Sequence, residues 1–189
     1  WPNLAKRAYA SDLESIHFEG IAHIVFAGMG GSSAIGDLFA SILSKTNIHV
    51  TLVKGYLLPK TVDKKTLVIT TSVSGNTVET LTVLESAQKL DCQIIAFCSG
   101  GKMEQYCIDN EINFRIIDSI HSPRASFVTY VYSILNVLNS ILPINESDIL
   151  SSIDSLFEIH KQISSSNLTD LNPAINLANW ITGIPLIYY

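Results

Sequence analysis

The amino-acid sequence predicts an α/β fold in which helices cover both faces of a five-stranded parallel sheet, a three-layer sandwich. Short runs rich in β-branched residues alternate with helical patterns over residues 23–117, which is typical of parallel sheets. Two of the junctions between a strand and a helix carry glycine-bearing turns, and such turns meet at one edge of the sheet. Hydrophobic residues make up 47% of the 189 residues, which is enough for a substantial core.

The individual elements follow from the hydrophobic spacing, taken from the N-terminus. Residues 3–18 carry apolar side chains at weak helical spacing, which predicts a first helix. Strands are predicted where apolar β-branched runs occur, at residues 23–27, 49–53, 66–72, 93–97 and 114–117. Helices are predicted where apolar residues share one helical face, at residues 33–44, 77–90 and 102–108.

Three more helical patterns follow the fifth strand. Residues 125–142 form the most apolar of them, and Pro143 ends it. A helix of this character is expected to be buried within the domain or against a second copy of the chain, so we predict a homodimer. The other two are a serine-rich helix at residues 147–166 and a short helix at residues 173–180, with a candidate linker at residues 164–167.

These patterns predict a division of the chain into three parts. Residues 1–145 are expected to form one α/β domain, residues 146–182 linker helices, and residues 183–189 the opening of a second domain. The chain starts at Trp1 rather than Met, and its last six residues look like a strand that is cut off as it begins. We therefore expect the chain to be a fragment of a longer protein.

Composition argues against several classes of protein. A net charge of −5 disfavours nucleic acid or an anionic membrane as a general partner. The sequence has neither a signal peptide nor an apolar run of about 18 residues, so a cytoplasmic protein without a membrane span is expected. The cysteines at positions 92, 98 and 107 lack C-x-x-C spacing and are predicted to be buried reduced thiols.

The turn after the first strand has the features of an anion site. It reads Gly28-Met29-Gly30-Gly31-Ser32-Ser33 and leads directly into a helix. Its glycines allow the backbone to approach a ligand closely, and the free N–H groups of the first helical turn point toward that ligand. Ser32 and Ser33 add hydroxyl donors at the same place. This turn therefore predicts a phosphate-binding site.

The turn after the third strand concentrates hydroxyl groups at a second helix start. It reads Ser72-Val73-Ser74-Gly75-Asn76-Thr77. Hydroxyl groups suit a phosphate because they donate hydrogen bonds without adding a charge that would hold a product tightly. Asn76 with Glu79 three residues later also resembles a capping box, which predicts that Glu79 bonds back to the backbone rather than acting in catalysis. Two such turns at one sheet edge favour phosphate recognition over an ordinary serine-rich loop.

These motifs together resemble the sugar isomerase (SIS) fold, which is flavodoxin-like, and in particular the family of bifunctional phosphoglucose/phosphomannose isomerases. The resemblance rests on Ser72 to Thr80, Gly28 to Ser32, Gly36-Asp37 and Pro123-Arg124, and it covers about residues 1 to 180. It implies two SIS domains in tandem, of which this chain is similar to the first. Two departures are Val73, where an aromatic residue is usual, and Ser33, where Gly or Ala is common.

The resemblance also implies a reaction and the residues that serve it. The family interconverts glucose 6-phosphate, mannose 6-phosphate and fructose 6-phosphate through a cis-enediol, without a metal or an organic cofactor. Arg124 would stabilise the enediolate. In the family the general base glutamate and the ring-opening histidine lie in the second half, so this chain is expected to bind a sugar 6-phosphate without isomerising it. By the same resemblance, the phosphate would be held by Gly30, Gly31, Ser32, Ser72, Ser74 and Thr77.

Two residues ahead of the apolar helix are candidates from their position alone. Arg124 follows a proline after the fifth strand, which indicates the ligand edge, where a guanidinium can clamp an oxyanion at two points. The alternative is a surface arginine paired with a carboxylate. His121 is a candidate proton donor for opening the sugar ring, and the alternative is a solvated loop histidine.

Two other functions stay open. Gly28-x-Gly30 after a strand also occurs in dinucleotide-binding domains, but Ser33 replaces the third glycine of that motif. The second strand ends in Lys54 rather than an acidic residue, which would suit the 2′-phosphate of NADP, although the serine-rich second turn has no role in that function. The other alternative is a non-catalytic SIS regulator that senses a sugar phosphate.

Overall fold

The computed structural model describes residues 1–183, which form five strands and seven helices. The strands are β1 (His23–Ala27), β2 (His49–Val53), β3 (Thr66–Ser72), β4 (Gln93–Cys98) and β5 (Asn113–Ile116). The helices are α1 (Pro2–Tyr9), α2 (Gly31–Leu43), α3 (Val78–Gln88), α4 (Gly101–Asp109), α5 (Phe127–Val137), α6 (Glu146–Ile163) and α7 (Pro173–Ile181). The strand expected at Ile184 to Tyr189 lies outside the described residues.

The strands form one parallel sheet with helices on both faces. Their order is β2-β1-β3-β4-β5, and every neighbouring pair is parallel. On one face, Phe26 of β1 stacks on Phe39 of α2 with ring centroids 5.2 Å apart. On the other face, Val25 and Ala27 of β1 pack with Val83 of α3. Because successive strand residues point to opposite faces, β1 is covered on both sides, and the predicted three-layer α/β fold is confirmed.

The chain divides into two compact units. Residues 7–143 form one unit, which contains the whole sheet. Residues 1–6 form the other together with residues 144–183, which include α6 and α7. The predicted parts 1–145, 146–182 and 183–189 stay a prediction.

The first helix is shorter than its hydrophobic spacing predicts. It ends at Tyr9, whereas the spacing predicts a helix as far as residue 18. The Ile16 N–H donates to the Val137 carbonyl at 3.1 Å, and Ser140 Oγ donates to the Ile16 carbonyl at 2.8 Å. Because distant partners satisfy these backbone groups, Ile16 is buried without being helical.

The apolar helix α5 is also shorter than predicted, and the chain itself buries it. Residues 138–142 continue from it as turns rather than as helix. Since these side chains are covered within one copy, their apolar character gives no argument for a dimer, and the homodimer stays a prediction. Within residues 1–183, no helix is long and apolar enough to cross a membrane. The buried residues of α5 are Val128, Tyr130, Val131, Tyr132, Ser133, Ile134, Leu135 and Val137.

The three cysteines are free thiols in the interior or close to it. Cys98 and Cys107 are buried, and Cys92 is half-buried. Burial raises the pKa of Cys92 to about 11 and the pKa of Cys107 to about 12. Thiols with these pKa values stay neutral near pH 7 and are poor nucleophiles, as expected of cysteines that serve packing.

Candidate functional site

The two glycine-bearing turns leave neighbouring strands at the carboxyl edge of the sheet. β1 and β3 are adjacent, and Ala27 at the end of β1 pairs with Thr70 of β3. Residues 28–32, the first turn, and residues 72–77, the second turn, therefore begin side by side. The helices that follow them pack on opposite faces of the sheet. A ligand held here would lie in the crevice where the strand order reverses, the usual ligand position in open parallel sheets.

The first turn presents a helix N-terminus that no side chain caps. Gly30 has a φ of +57°, a conformation that favours glycine, and α2 begins at Gly31 directly after it. The exposed Gly31 and the buried Ser32 form the start of the helix, where the helix dipole is positive. Ser33 is less available to a ligand, because its hydroxyl donates to the Gly30 carbonyl at 2.8 Å. This helix start is open to an anion.

The second turn brings its hydroxyl groups together. Ser72 Oγ and Thr77 Oγ1 are 2.9 Å apart, which joins the last residue of β3 to the residue before α3. One hydroxyl of such a pair donates to the other, and the acceptor keeps its own hydrogen for a ligand. Ser74 is exposed, and its Oγ accepts the Asn76 N–H at 3.2 Å, which leaves the Ser74 hydrogen for another partner. The second turn therefore offers hydroxyl donors without any charged side chain.

A third turn, Ser99-Gly100-Gly101, supports the second turn and was not singled out from the sequence. It follows β4, and two backbone N–H groups at the start of α4 donate hydrogen bonds to the second turn. The Met103 N–H donates to the Gly75 carbonyl at 2.9 Å, and the Lys102 N–H donates to Asn76 Oδ1 at 3.2 Å. The Ser99 hydroxyl donates to the Val73 carbonyl. The N-terminus of α4 is thus used to hold the second turn, and the Gly-Gly pair after a strand is the signal that could have revealed it.

The predicted capping box at Asn76 and Glu79 is not formed. α3 begins at Val78 with Thr77 as its N-cap, and no side chain caps it. Asn76 instead donates from Nδ2 to the Ser74 carbonyl at 2.8 Å while its Oδ1 accepts from Lys102. The amide therefore joins the second turn to α4, because a partner from the neighbouring turn competes with the local capping geometry.

Neither of the first two turns contains a charged residue. Glu79 lies in the first turn of α3 and is half-buried. Lys54 follows β2 and forms an ion pair with Asp37 of α2. Among residues 1–183, no group of three or more His, Cys, Asp or Glu side chains is placed to hold a metal ion. An anion at the two turns would be held by neutral donors and by the helix dipoles.

Arg124 lies in a structured segment between β5 and α5. The buried Ser126 fixes this segment, since its Oγ accepts the Ile120 N–H at 2.9 Å and donates to the Ser122 carbonyl at 3.0 Å. Arg124 itself is exposed, and its guanidinium has no hydrogen-bond or ion-pair partner among residues 1–183. The neighbouring His121 is exposed as well. The structure thus brings the two turns together directly, and it places Arg124 in a separate loop after the last strand, unpaired within the described part of the chain.

Comparison with known proteins points to one family. The SIS domain family matches residues 17–141, which include both turns and Arg124. The bifunctional phosphoglucose/phosphomannose isomerase of Caldicellulosiruptor bescii is 31% identical over 184 residues, or 92% of this chain and 52% of that protein. The D-glucosamine-6-phosphate 4-epimerase of Sulfolobus acidocaldarius is 26% identical over 192 residues, or 100% of this chain and 58% of that protein.

A solved structure shares the fold at low sequence identity. It is the C-terminal domain of glucosamine-fructose-6-phosphate aminotransferase from Francisella tularensis, with a TM-score of 0.59 and 17% identity. The match covers 95% of this chain and 54% of that one. This likeness extends to the fold alone. The chain spans about half the length of the curated relatives that it matches.

Proposed function

The chain belongs to the SIS domain family, and we propose that it is the phosphate-binding half of an aldose–ketose isomerase. The proposed reaction interconverts glucose 6-phosphate or mannose 6-phosphate with fructose 6-phosphate through a cis-enediol. The similarity to the bifunctional phosphoglucose/phosphomannose isomerases supports this substrate class. In this proposal the longer protein works in the cytoplasm as a homodimer and uses no metal or organic cofactor.

The observation that carries the proposal is the pairing of two anion-type turns on adjacent strands. Gly30, Gly31 and Ser32 would bind the phosphate from the first turn, through backbone N–H groups and one hydroxyl. From the second turn, Ser72, Ser74 and Thr77 would contribute hydroxyl donors. Hydrogen bonds to a charged group contribute about 1.5–3 kcal/mol each, so a few of them hold a dianion without a fixed cation.

Arg124 has a separate role in this proposal. Moving a proton between C1 and C2 of the sugar builds negative charge on the oxygens of the enediol. An unpaired guanidinium can stabilise that charge at two points, and among residues 1–183 no carboxylate competes for it. Arg124 would reach the reacting carbons while the two turns hold the phosphate at the other end of the sugar.

The chain by itself is proposed to bind the sugar phosphate without isomerising it. Isomerisation requires a general base within hydrogen-bonding reach of the C1 and C2 hydrogens. Glu79 is the carboxylate nearest in sequence to the second turn, but it lies in the first turn of α3 beside the proposed phosphate, where a base would repel the substrate. The base is therefore proposed to come from outside these 189 residues.

The names of the relatives also leave a second function open. One of them is named as a 4-epimerase of a sugar 6-phosphate rather than as an isomerase, so the shared feature of the names is the phosphorylated sugar. A non-catalytic SIS regulator would use the same two turns. The dinucleotide alternative gives the hydroxyl pair of Ser72 and Thr77 no role.

A thermal-shift series tests the proposal. We expect fructose 6-phosphate and glucose 6-phosphate to raise the melting temperature of the 189-residue chain, because a ligand that binds only the folded state stabilises it. Stabilisation by NADP with no effect of either sugar phosphate would contradict the proposal. Finding a general base in the remainder of the gene product would separate an enzyme from a regulator.

A further inference from the structure

Lys54 lies beside the first turn and is held there by one acidic residue. It follows the last residue of β2, and its Nζ is 2.8 Å from both carboxylate oxygens of Asp37 on α2. Gly28, Ser32, Ser33 and Lys54 line the same gap at the carboxyl edge of the sheet. Lys54 therefore borders the proposed phosphate site, which has only neutral donors, while its ammonium group is held at Asp37 farther along α2.

The position of Asp37 sets the distance over which Lys54 would have to move. Asp37 lies five residues beyond Ser32 and six residues beyond Gly31 on α2, so about 7.5–9 Å along the helix axis separates it from these proposed phosphate donors. The flexible four-carbon stem of a lysine can carry its ammonium over such a distance. Lys54 also borders an open hollow of about 730 Å³ formed by residues 51–59, so its side chain lies at an open part of the surface.

Both members of the ion pair are half exposed, so the pair is easily exchanged. The side chains of Lys54 and Asp37 are 49% and 47% exposed. An ion pair with this exposure contributes little stability, because water and salt screen it. A phosphate dianion at the start of α2 carries more charge than the single carboxylate of Asp37 and would compete with it for the ammonium.

We propose that Lys54 is a further phosphate-binding residue, and that Asp37 holds it beside the phosphate site and competes with the ligand. This inference rests on the proposed function, since it assumes that the first turn binds the phosphate of a sugar 6-phosphate. Lys54 exchanges its carboxylate partner for the phosphate when the ligand arrives. The two residues therefore act on affinity in opposite directions.

Calorimetry with fructose 6-phosphate, at low and at high salt, tests this inference. Lys54→Met is expected to weaken binding about fivefold at low salt and to reduce the salt dependence. Asp37→Asn is expected to tighten binding by about two- to fivefold, because it frees the ammonium and removes a repelling charge. When Asp37→Asn is combined with Lys54→Met, most of the increase in affinity caused by Asp37→Asn is expected to disappear. Lys45→Met, at an exposed lysine beyond the C-terminal end of α2, is the matched control and should bind like the original chain.

The outcomes separate this inference from the function on which it rests. If the original chain binds fructose 6-phosphate and Lys54→Met binds it within twofold, Lys54 is a surface residue and the inference is wrong. If Asp37→Asn weakens binding, Asp37 does not compete with the ligand, and the inference is again wrong. If the original chain binds no sugar phosphate at all, the proposed function itself fails, and this inference fails with it.

Discussion

Gly75 lies so close to the backbone of Gly100 that the second turn has no room for a side chain at this position. A methyl group on Gly75 would overlap the Gly100 carbonyl oxygen and would lie 2.7 Å from its carbonyl carbon. Gly75 also has a φ of +65°, which favours glycine. The second turn is thus held against the third turn by a contact that only glycine permits, and the position of Ser74 depends on it.

We predict that Gly75→Ala destabilises the fold and disrupts sugar-phosphate binding. The left-handed backbone alone costs about 1–2 kcal/mol for alanine, and the overlap with Gly100 adds to that cost. Gly20→Ala is the matched control, because Gly20 has a φ of +70° but nothing within 4 Å of an added methyl group. Urea unfolding should show that Gly75→Ala lowers the free energy of unfolding more than Gly20→Ala does. If both variants lower the free energy of unfolding equally, the contact between the second and third turns does not contribute to stability.

Ser74→Ala should weaken fructose 6-phosphate binding at least about tenfold. The expectation follows from the loss of one hydrogen bond to a charged group, about 1.5–3 kcal/mol. Isothermal calorimetry on the folded variant measures it, and Ser44→Ala beyond the far end of α2 serves as control. Unchanged affinity in Ser74→Ala would show that the phosphate does not bind at this hydroxyl.

Arg124→Met should lower kcat more than it raises KM in the full-length enzyme. A group that acts on charge developing in the transition state contributes little to ground-state binding. Lost stabilisation of this kind typically costs on the order of 100-fold in rate. Steady-state kinetics decide the point, with the exposed Arg7→Met as a control for general loss of a positive charge. Near-normal kcat with a raised KM would make Arg124 a simple substrate clamp.

The 189-residue chain should bind sugar phosphate and produce no measurable isomerisation. Positioned acid–base chemistry contributes roughly 100- to 10,000-fold, so its absence leaves almost no turnover. A coupled assay for fructose 6-phosphate formation compares the chain with the full-length enzyme. Turnover within tenfold of the full-length enzyme would place the base inside this sequence, and Glu79→Gln would be the first variant to test.

Stability should fall as the pH drops below about 6.5 because of His23. This side chain is buried, and burial together with the neighbouring His49 lowers its pKa from 6.5. The unfolded chain therefore binds a proton at a higher pH than the folded chain, so acidification favours unfolding. The free energy of unfolding in urea should differ less between pH 7.5 and pH 5.5 for His23→Gln than for the original chain. The exposed His121→Gln should keep the original difference, and an unchanged difference in His23→Gln would refute the assignment.

Most of the candidate site could be recognised from the sequence because its signals are local. Glycines and hydroxyl residues at the ends of apolar strands indicate helix starts that bind anions, and neither needs a distant partner to be recognised. The interlocked contact of Gly75 with Gly100 could not be recognised in this way, since it joins turns that lie on different strands. The role of Asn76 was mistaken for the same reason: its amide bonds to the start of α4 and not to its own helix.

The sequence by itself determined the parallel sheet and the helices that cover it. Strand and helix periodicity depend on residues close together in the chain, and the five predicted strands lie within one residue of the observed ones. Only the tertiary structure decided that Ile16 lies outside α1, because its backbone is satisfied by Val137 and Ser140 rather than by its own neighbours. It also decided that α5 is buried within one copy, and it placed Lys54 against Asp37 beside the first turn. Hydrogen bonds and ion pairs between distant residues depend on how the elements pack, and packing is a property of the whole chain that local spacing does not contain.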